Sequence, residues 1–323
     1  KGVAFTKKWC LLDRISWYPP PSKEWQLRAP YFILPGAKKS GTTSLSYYIS
    51  QHPMVEKART KELQFFLNKN FRRDYVTQDR KTKVREARQH MYNFEYHSKK
   101  LRQNKTLISM DATPGYLFFS DMLPQRILCV APWTKLVIIL RNPIDRLYSN
   151  YQFVIEYHGA KKIPLSKVIQ ADLQPLKSSG FINATTPQQE ATAWRQYLTL
   201  AGEGYVGRSL YEIQLRQWFQ AFRDVGRDPS SQICIVRLED LHDNLQGTVE
   251  KVFSFLGLPP VPIQHEEVKV STSHKEPMDG VLRSDLETFF QPYNQKLYEL
   301  LMSHGFGDDW DGYWEKRTAE GRR

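Results

Sequence analysis

Residues 31–45, YFILPGAKKSGTTSL, decide the fold. The opening run Tyr31-Phe32-Ile33-Leu34 is continuously apolar and reads as a buried strand. It breaks into a small-residue turn containing Gly36 and Gly41. The hydroxyl-rich residues Ser40, Thr42, Thr43 and Ser44 then open an amphipathic helix that continues through Leu45, Tyr48 and Ile49. Strand, glycine turn and helix start together make an anion cradle. Backbone N–H groups and the positive end of the helix dipole face one point. The plainer alternative is a glycine turn with solvated lysines.

The lysines give the cradle its character. An ATP-binding loop of this kind reads G-x-x-x-x-G-K-[ST]. Gly36 and Gly41 keep that spacing, but Thr42 stands where the lysine would be, and Lys38 and Lys39 precede the second glycine. The loop can still hold a phosphate, with its cation approaching from another side.

Outward from this segment, strand and helix alternate, which predicts an α/β fold with a parallel sheet. Further strands are expected at 107–111, 135–140 and 232–237. Helical spacing marks 209–223, 245–256 and 285–301. The stretch 72–102 is polar and reads as helix with an exposed face. Residues 158–190 hold Gly159, Pro164, Pro175, Gly180 and Pro187, which predicts a long, partly irregular insertion of the kind that carries substrate contacts. Residues 1–29 include Trp17-Tyr18-Pro19-Pro20-Pro21 and read as an N-terminal arm or stem remnant. Residues 30–323 then form one domain.

Composition narrows the function classes. A chain of 323 residues that is 41% hydrophobic and 13% aromatic can bury a large core and is not of disordered type. No run approaches the ~18 apolar residues that span a bilayer. The net charge of +12 suggests an anionic partner: a nucleotide, nucleic acid, acidic glycan or membrane surface. Cys10, Cys129 and Cys234 show no metal-ligand spacing, and no metal site is expected. The tripeptides Asn104-Lys105-Thr106 and Asn183-Ala184-Thr185 permit passage through a secretory pathway.

A second segment, residues 135–151, KLVIILRNPIDRLYSNY, brings in a further cation. Its apolar run delivers Arg141 to a strand end, and Pro143 suits the first turn of a helix. Arg141 and Ser149 stand eight residues apart and can converge on one phosphate, the guanidinium being the bidentate anchor. The alternative is a structural ion pair between Arg141 and Asp145 or another acid. In open α/β sheets both segments would lie at the carboxyl ends of the strands, where ligands bind.

The two segments, in this order and roughly a hundred residues apart, resemble those of the PAPS-dependent sulfotransferases. The likeness is greatest to the Golgi carbohydrate enzymes of heparan and chondroitin type. PAPS, 3′-phosphoadenosine 5′-phosphosulfate, is their sulfuryl donor. The resemblance implies a P-loop-like three-layer α/β fold, with a central parallel sheet flanked by helices. It implies that Lys39, Ser40, Gly41, Thr42, Thr43 and Ser44 hold the 5′-phosphosulfate and that Arg141 and Ser149 hold the 3′-phosphate. The segment Thr60-Lys61-Glu62-Leu63-Gln64-Phe65-Phe66 resembles the acid-plus-Phe-Phe segment of these enzymes, which implies Glu62 as catalytic base. Lys39 would stabilise the leaving 3′-phosphoadenosine 5′-phosphate. Ser109-Met110-Asp111-Ala112-Thr113-Pro114-Gly115-Tyr116 is similar to the segment that lines the acceptor cleft. Arg208-Ser209-Leu210-Tyr211 and Arg237-Leu238-Glu239-Asp240-Leu241 are similar to later family segments.

The chain also departs from the pattern. Ala112 stands where the heparan enzymes usually carry a lysine. The region Ser271-Thr272-Ser273-His274-Lys275-Glu276 lacks their cysteine pair, though Lys275 is expected to close over the phosphosulfate. His158 competes with Glu62 as base, since cytosolic members of the family use histidine; His52 and His274 are weaker competitors. The implied partner is a glycan, a polysaccharide or glycosaminoglycan, and not nucleic acid. The implied location is the Golgi lumen, as the catalytic domain of a type II membrane protein whose anchor lies outside this chain. Two other readings compete. A P-loop nucleotide kinase needs a lysine after Gly41 and an acid for Mg²⁺. A noncatalytic glycan- or heparin-binding module needs only the positive charge.

Overall fold

A computed structural model describes residues 30–58, 60–67, 98–104, 106–131, 133–158, 163–266 and 277–321. The arm 1–29, most of the polar stretch 72–102, and His274 and Lys275 lie outside them.

The elements in chain order are β1 (Phe32–Ile33), α1 (Thr42–Ile49), β2 (Val55–Lys57), α2 (Ser98–Gln103), β3 (Ile108–Asp111), α3 (Leu123–Val130), β4 (Lys135–Leu140), α4 (Pro143–His158), α5 (Leu165–Ser178) and α6 (Pro187–Leu200). There follow α7 (Tyr211–Asp224), α8 (Pro229–Gln232), β5 (Ile233–Arg237), α9 (Leu238–Asp243), α10 (Leu245–Leu256), α11 (Gly280–Ser303) and α12 (Tyr313–Ala319). The five strands form one sheet in the order β2-β3-β1-β4-β5, with every pair parallel. The order reverses at β1, which puts the loop after β1 at the topological switch point of the sheet.

β4 shows how the sequence builds the layers. Its residues alternate between two cores. Leu136, Ile138 and Leu140 pack with Tyr211, Leu215 and Trp218 of α7 and Leu297 of α11. Val137 and Ile139 pack on the other face with Leu45 and Ile49 of α1 and Val249 and Phe253 of α10. A strand covered on both faces must be apolar throughout, which is why 135–140 reads as a continuous run. Each such buried side chain contributes roughly 1.5–3 kcal/mol relative to exposure. A third core, around Trp194, Tyr197, Leu176 and Leu147, holds α4, α5 and α6 together beside the sheet.

The expected strands are found where the sequence places them, within a residue or two at their ends. β2 was not anticipated. Within 158–190, α5 and the start of α6 at Pro187 are helical and 179–186 between them is irregular, in keeping with a partly irregular insertion. Pro164 and Pro187 mark helix starts, where a missing N–H costs nothing. Thr186 caps α6 in a reciprocal box with Gln189.

Candidate active site

The loop between β1 and α1 is pinned on two sides. Ala37 N–H donates to the Ile139 carbonyl at 2.8 Å, and Ile139 N–H donates to the Gly36 carbonyl at 2.9 Å. On the other flank Leu117 N–H donates to the Pro35 carbonyl at 2.7 Å. Two positions require glycine. Gly41 has φ 85°, and a Cβ there would lie 2.4 Å from Leu238 Cδ1. A Cβ at Gly36 would lie 2.7 Å from Leu117 Cβ.

α1 starts at Thr42 without a side-chain cap and without an acid in its first turn. Its first N–H groups have no partner within the helix, and the positive end of its dipole faces the loop. Ser40 is fully buried, and its hydroxyl makes no full hydrogen bond. It lies beside the Tyr211 hydroxyl, which donates to the Arg141 carbonyl at 2.9 Å. Every group this cradle offers is a donor or a hydroxyl, which is the set an anion needs. The residues therefore fit a phosphate or phosphosulfate.

Two arginines close the cradle from behind. Arg141, just past β4, donates from Nη1 to the Lys39 carbonyl at 3.4 Å. Lys39 has φ 69°, a left-handed conformation unusual for a side-chain-bearing residue. Arg146 is fully buried and donates to Lys38 O at 3.4 Å, to Ser209 Oγ at 2.6 Å and to Tyr205 O. Burial pulls its pKa down to about 10, which still leaves it charged at neutral pH. Asp145 pairs with Arg283 at 2.9 Å, so its ion-pair partner is not Arg141.

Both lysines face the Phe153 ring, with Lys38 Nζ 5.8 Å from its centre. Lys39 Nζ lies 4.1 Å from the Phe153 ring centre. Lys38 pairs with Glu203 at 3.2 Å. Burial, followed by repulsion from Arg208, lowers the Lys38 pKa. Lys61 donates to Thr43 Oγ1 at 2.6 Å and lies 3.5 Å from Glu62 Oε1. That bond ties the Glu62 segment to the first turn of α1. Glu62 is exposed.

The structure thus brings together residues 39–44, Arg141 and the segment bearing Glu62. Ser149 is buried on α4, and among the described residues no hydrogen bond joins it to Arg141. His158 ends α4. His52 is tied to the Pro259 carbonyl at 3.0 Å and to Met54 N–H at 3.1 Å. Arg146 and Lys61 were not singled out in the sequence. Lys61 adjoins Glu62 and was open to notice. Arg146 sits beside Asp145 in a helical stretch and reads as an ordinary surface charge.

Comparison with known proteins bears on this geometry. Residues 30–316 match the model of the sulfotransferase domain. The chain belongs to the sulfotransferase family. It is 24% identical over 335 residues to the membrane-associated sulfotransferase kil1 of Dictyostelium discoideum, across 84% of this chain and 65% of that protein. It is 25% identical over 322 residues to human carbohydrate sulfotransferase 15, across 88% of this chain and 55% of that protein. The chain therefore spans between about half and two thirds of the length of these relatives. A solved sulfotransferase from Alicyclobacillus acidocaldarius shares the fold, with a TM-score of 0.56 and 22% identity over 87% of this chain and 98% of that one.

Proposed function

We propose that this chain transfers a sulfuryl group from PAPS to a hydroxyl of a glycan, a polysaccharide or glycosaminoglycan. The observation that carries the reading is the cradle: an uncapped α1 start at Thr42, three residues after Lys39, whose carbonyl accepts from the Arg141 guanidinium, with the lysines before Gly41. Family membership supports sulfuryl transfer, and the relative named as a carbohydrate sulfotransferase supports a glycan acceptor.

PAPS, when bound, supplies the activated sulfuryl group. In this reading Ser40, Gly41, Thr42, Thr43 and Ser44 bind the 5′-phosphate through backbone N–H and hydroxyl groups. Arg141 and Ser149 bind the 3′-phosphate. Lys39 offsets charge on the leaving oxygen, and Lys275 adds a second cation from the later loop. Glu62 takes the proton of the acceptor hydroxyl. Positioning and charge stabilisation carry most of such a transfer. Residues 1–29 serve as an N-terminal arm or stem remnant and 30–323 as the catalytic domain, in the Golgi lumen. No helix among the described residues is long and apolar enough to cross a membrane.

Calorimetry separates the competing readings. 3′-Phosphoadenosine 5′-phosphate should bind at least tenfold more tightly than ATP with Mg²⁺, a difference of about 1.4 kcal/mol. A preference for ATP favours the kinase. Binding of a sulfated glycan with no nucleotide binding favours the noncatalytic module.

A further inference from the structure

Asp111 closes β3 and is fully buried. Both of its carboxylate oxygens accept from hydroxyls: Thr113 Oγ1 at 2.6 Å and Tyr116 Oη at 3.2 Å. Each hydroxyl in turn accepts a backbone N–H from the segment that follows Glu62. Gln64 N–H reaches Thr113 Oγ1 at 3.3 Å, and Phe66 N–H reaches Tyr116 Oη at 3.3 Å. A hydroxyl has one proton to give and lone pairs to receive, so both chains run in one direction, from backbone N–H to carboxylate. Arg126 Nη1 holds the Phe66 carbonyl at 3.2 Å. Between these anchors Gln64 has φ 51°, a left-handed non-glycine residue two positions after Glu62. Such a conformation persists only where its surroundings over-determine it, and these cluster at functional sites.

We propose that Asp111, acting through Thr113 and Tyr116, is a positioning residue that sets the placement of Glu62 for transfer. The proposal rests on the reading of Glu62 as base. The ionised carboxylate accepts both hydroxyl protons. Protonation makes one oxygen a donor; the hydroxyl facing it must turn its own proton away and accept both the carboxyl proton and the backbone N–H, which weakens the hold on one end of the segment. Burial pushes Asp111 up to about 7; the two hydroxyls pull it down and the Glu62 charge adds to the rise. The ionisable groups that act on it are Tyr116, in direct contact, and Glu62, through its charge. β1 brings none, and on β2 Glu56 pairs with Lys100 at 3.0 Å while Lys57 is exposed. The placement is complete above about pH 7 and is lost as pH falls through that value.

The test is a set of double-mutant cycles in the ³⁵S transfer assay with the full chain. Thr113→Val and Tyr116→Phe should each lower kcat about tenfold through misplacement of the base. Affinity for 3′-phosphoadenosine 5′-phosphate should stay within about twofold, since the cradle is untouched. In a Glu62→Gln background the same substitutions should change the residual rate by less than about twofold, because the group they position is gone. Asp111→Asn should hold, at every pH, the rate that the wild type shows on its acid side, with no rise between pH 6 and 8. Full multiplication of the two losses in the double variants overturns the proposal. So does a wild-type rise with pH in Asp111→Asn. If Asp111→Asn does not fold, the hydroxyl variants decide the matter. Wild-type kcat in Glu62→Gln alone removes the base assignment itself, a separate outcome that ends this proposal with it.

Discussion

Arg141 gives the nucleotide reading its sharpest handle at the scale of a single side chain. The bond from its guanidinium to the Lys39 carbonyl is 3.4 Å long and adds little to folding. Arg141→Ala should instead cost about 1.5–3 kcal/mol of nucleotide affinity, the worth of a charged hydrogen bond. Calorimetry with 3′-phosphoadenosine 5′-phosphate and with its analogue lacking the 3′-phosphate resolves the target. The loss should appear for the first ligand and largely vanish for the second; equal losses contradict a 3′-phosphate contact. Lys39 should matter to turnover more than to stability. Its stacking on Phe153 at 4.1 Å is worth ~0.5–1 kcal/mol at most for a partly exposed pair. Lys39→Ala should lower kcat by at least about a hundredfold, in line with loss of a transition-state electrostatic contact. The melting temperature of the nucleotide-free protein should barely move. Lys38→Ala is the internal control with a smaller kinetic effect, since Lys38 is engaged by Glu203. Unchanged turnover in Lys39→Ala removes its leaving-group role.

At the scale of elements, the β1–α1 junction depends on what glycine alone permits. Gly41→Ala places a Cβ at φ 85° and 2.4 Å from Leu238 Cδ1. Backbone strain and overpacking together should destabilise the fold by on the order of 2–4 kcal/mol, read by urea denaturation. A variant with unchanged stability and nucleotide affinity contradicts the tight junction described here. This element was legible in sequence because its signals are local: an apolar run, glycines at fixed spacing, hydroxyls at a helix start. β4 was legible for the same reason, being apolar on both faces. β2 was not, because Val55–Lys57 is three residues long and carries two charges. Its strand character comes from pairing with β3, a contact distant in sequence. The 158–190 stretch is partly irregular as it reads, but α5 inside it was not legible, because its prolines sit at helix starts and within α5 itself. Pro175 lies inside that helix, where the packing of Leu176 and Ile169 outweighs its penalty. Glu62 stood out only through the family likeness. Nothing in its local spacing shows that Lys61 ties its segment to Thr43, or that Asp111 supports it from beneath.

Across the whole molecule, buried acids set how stability changes with pH. Asp111 is raised from 3.8 to about 7, chiefly by burial. A carboxyl raised on folding favours the protonated native state. Its contribution is fully present below about pH 4 and is lost as pH rises through about 7. The shift of roughly three units corresponds to about 4 kcal/mol. Burial raises Glu239, Asp172 and Glu212 in the same direction. Denaturation at pH 5 and pH 8 should show stability falling with pH, and Asp111→Asn should flatten that fall by about 2–3 kcal/mol, the part of the shift that lies inside this window. Parallel curves for wild type and variant contradict the buried acid. The ionised form that would place Glu62 is thus the form that costs stability, a common trade at active sites. The charge of +12 acts at this scale too, favouring the approach of anionic ligands. The central claim is sulfuryl transfer itself. Its most direct test is transfer of label from ³⁵S-PAPS across heparan, chondroitin, neutral glycan, protein and small-molecule acceptors, with Glu62→Gln in parallel. The account predicts label on a glycan, falling by about two to four orders of magnitude in Glu62→Gln while nucleotide binding survives. Label that enters no glycan, or that enters one equally well in Glu62→Gln, contradicts it.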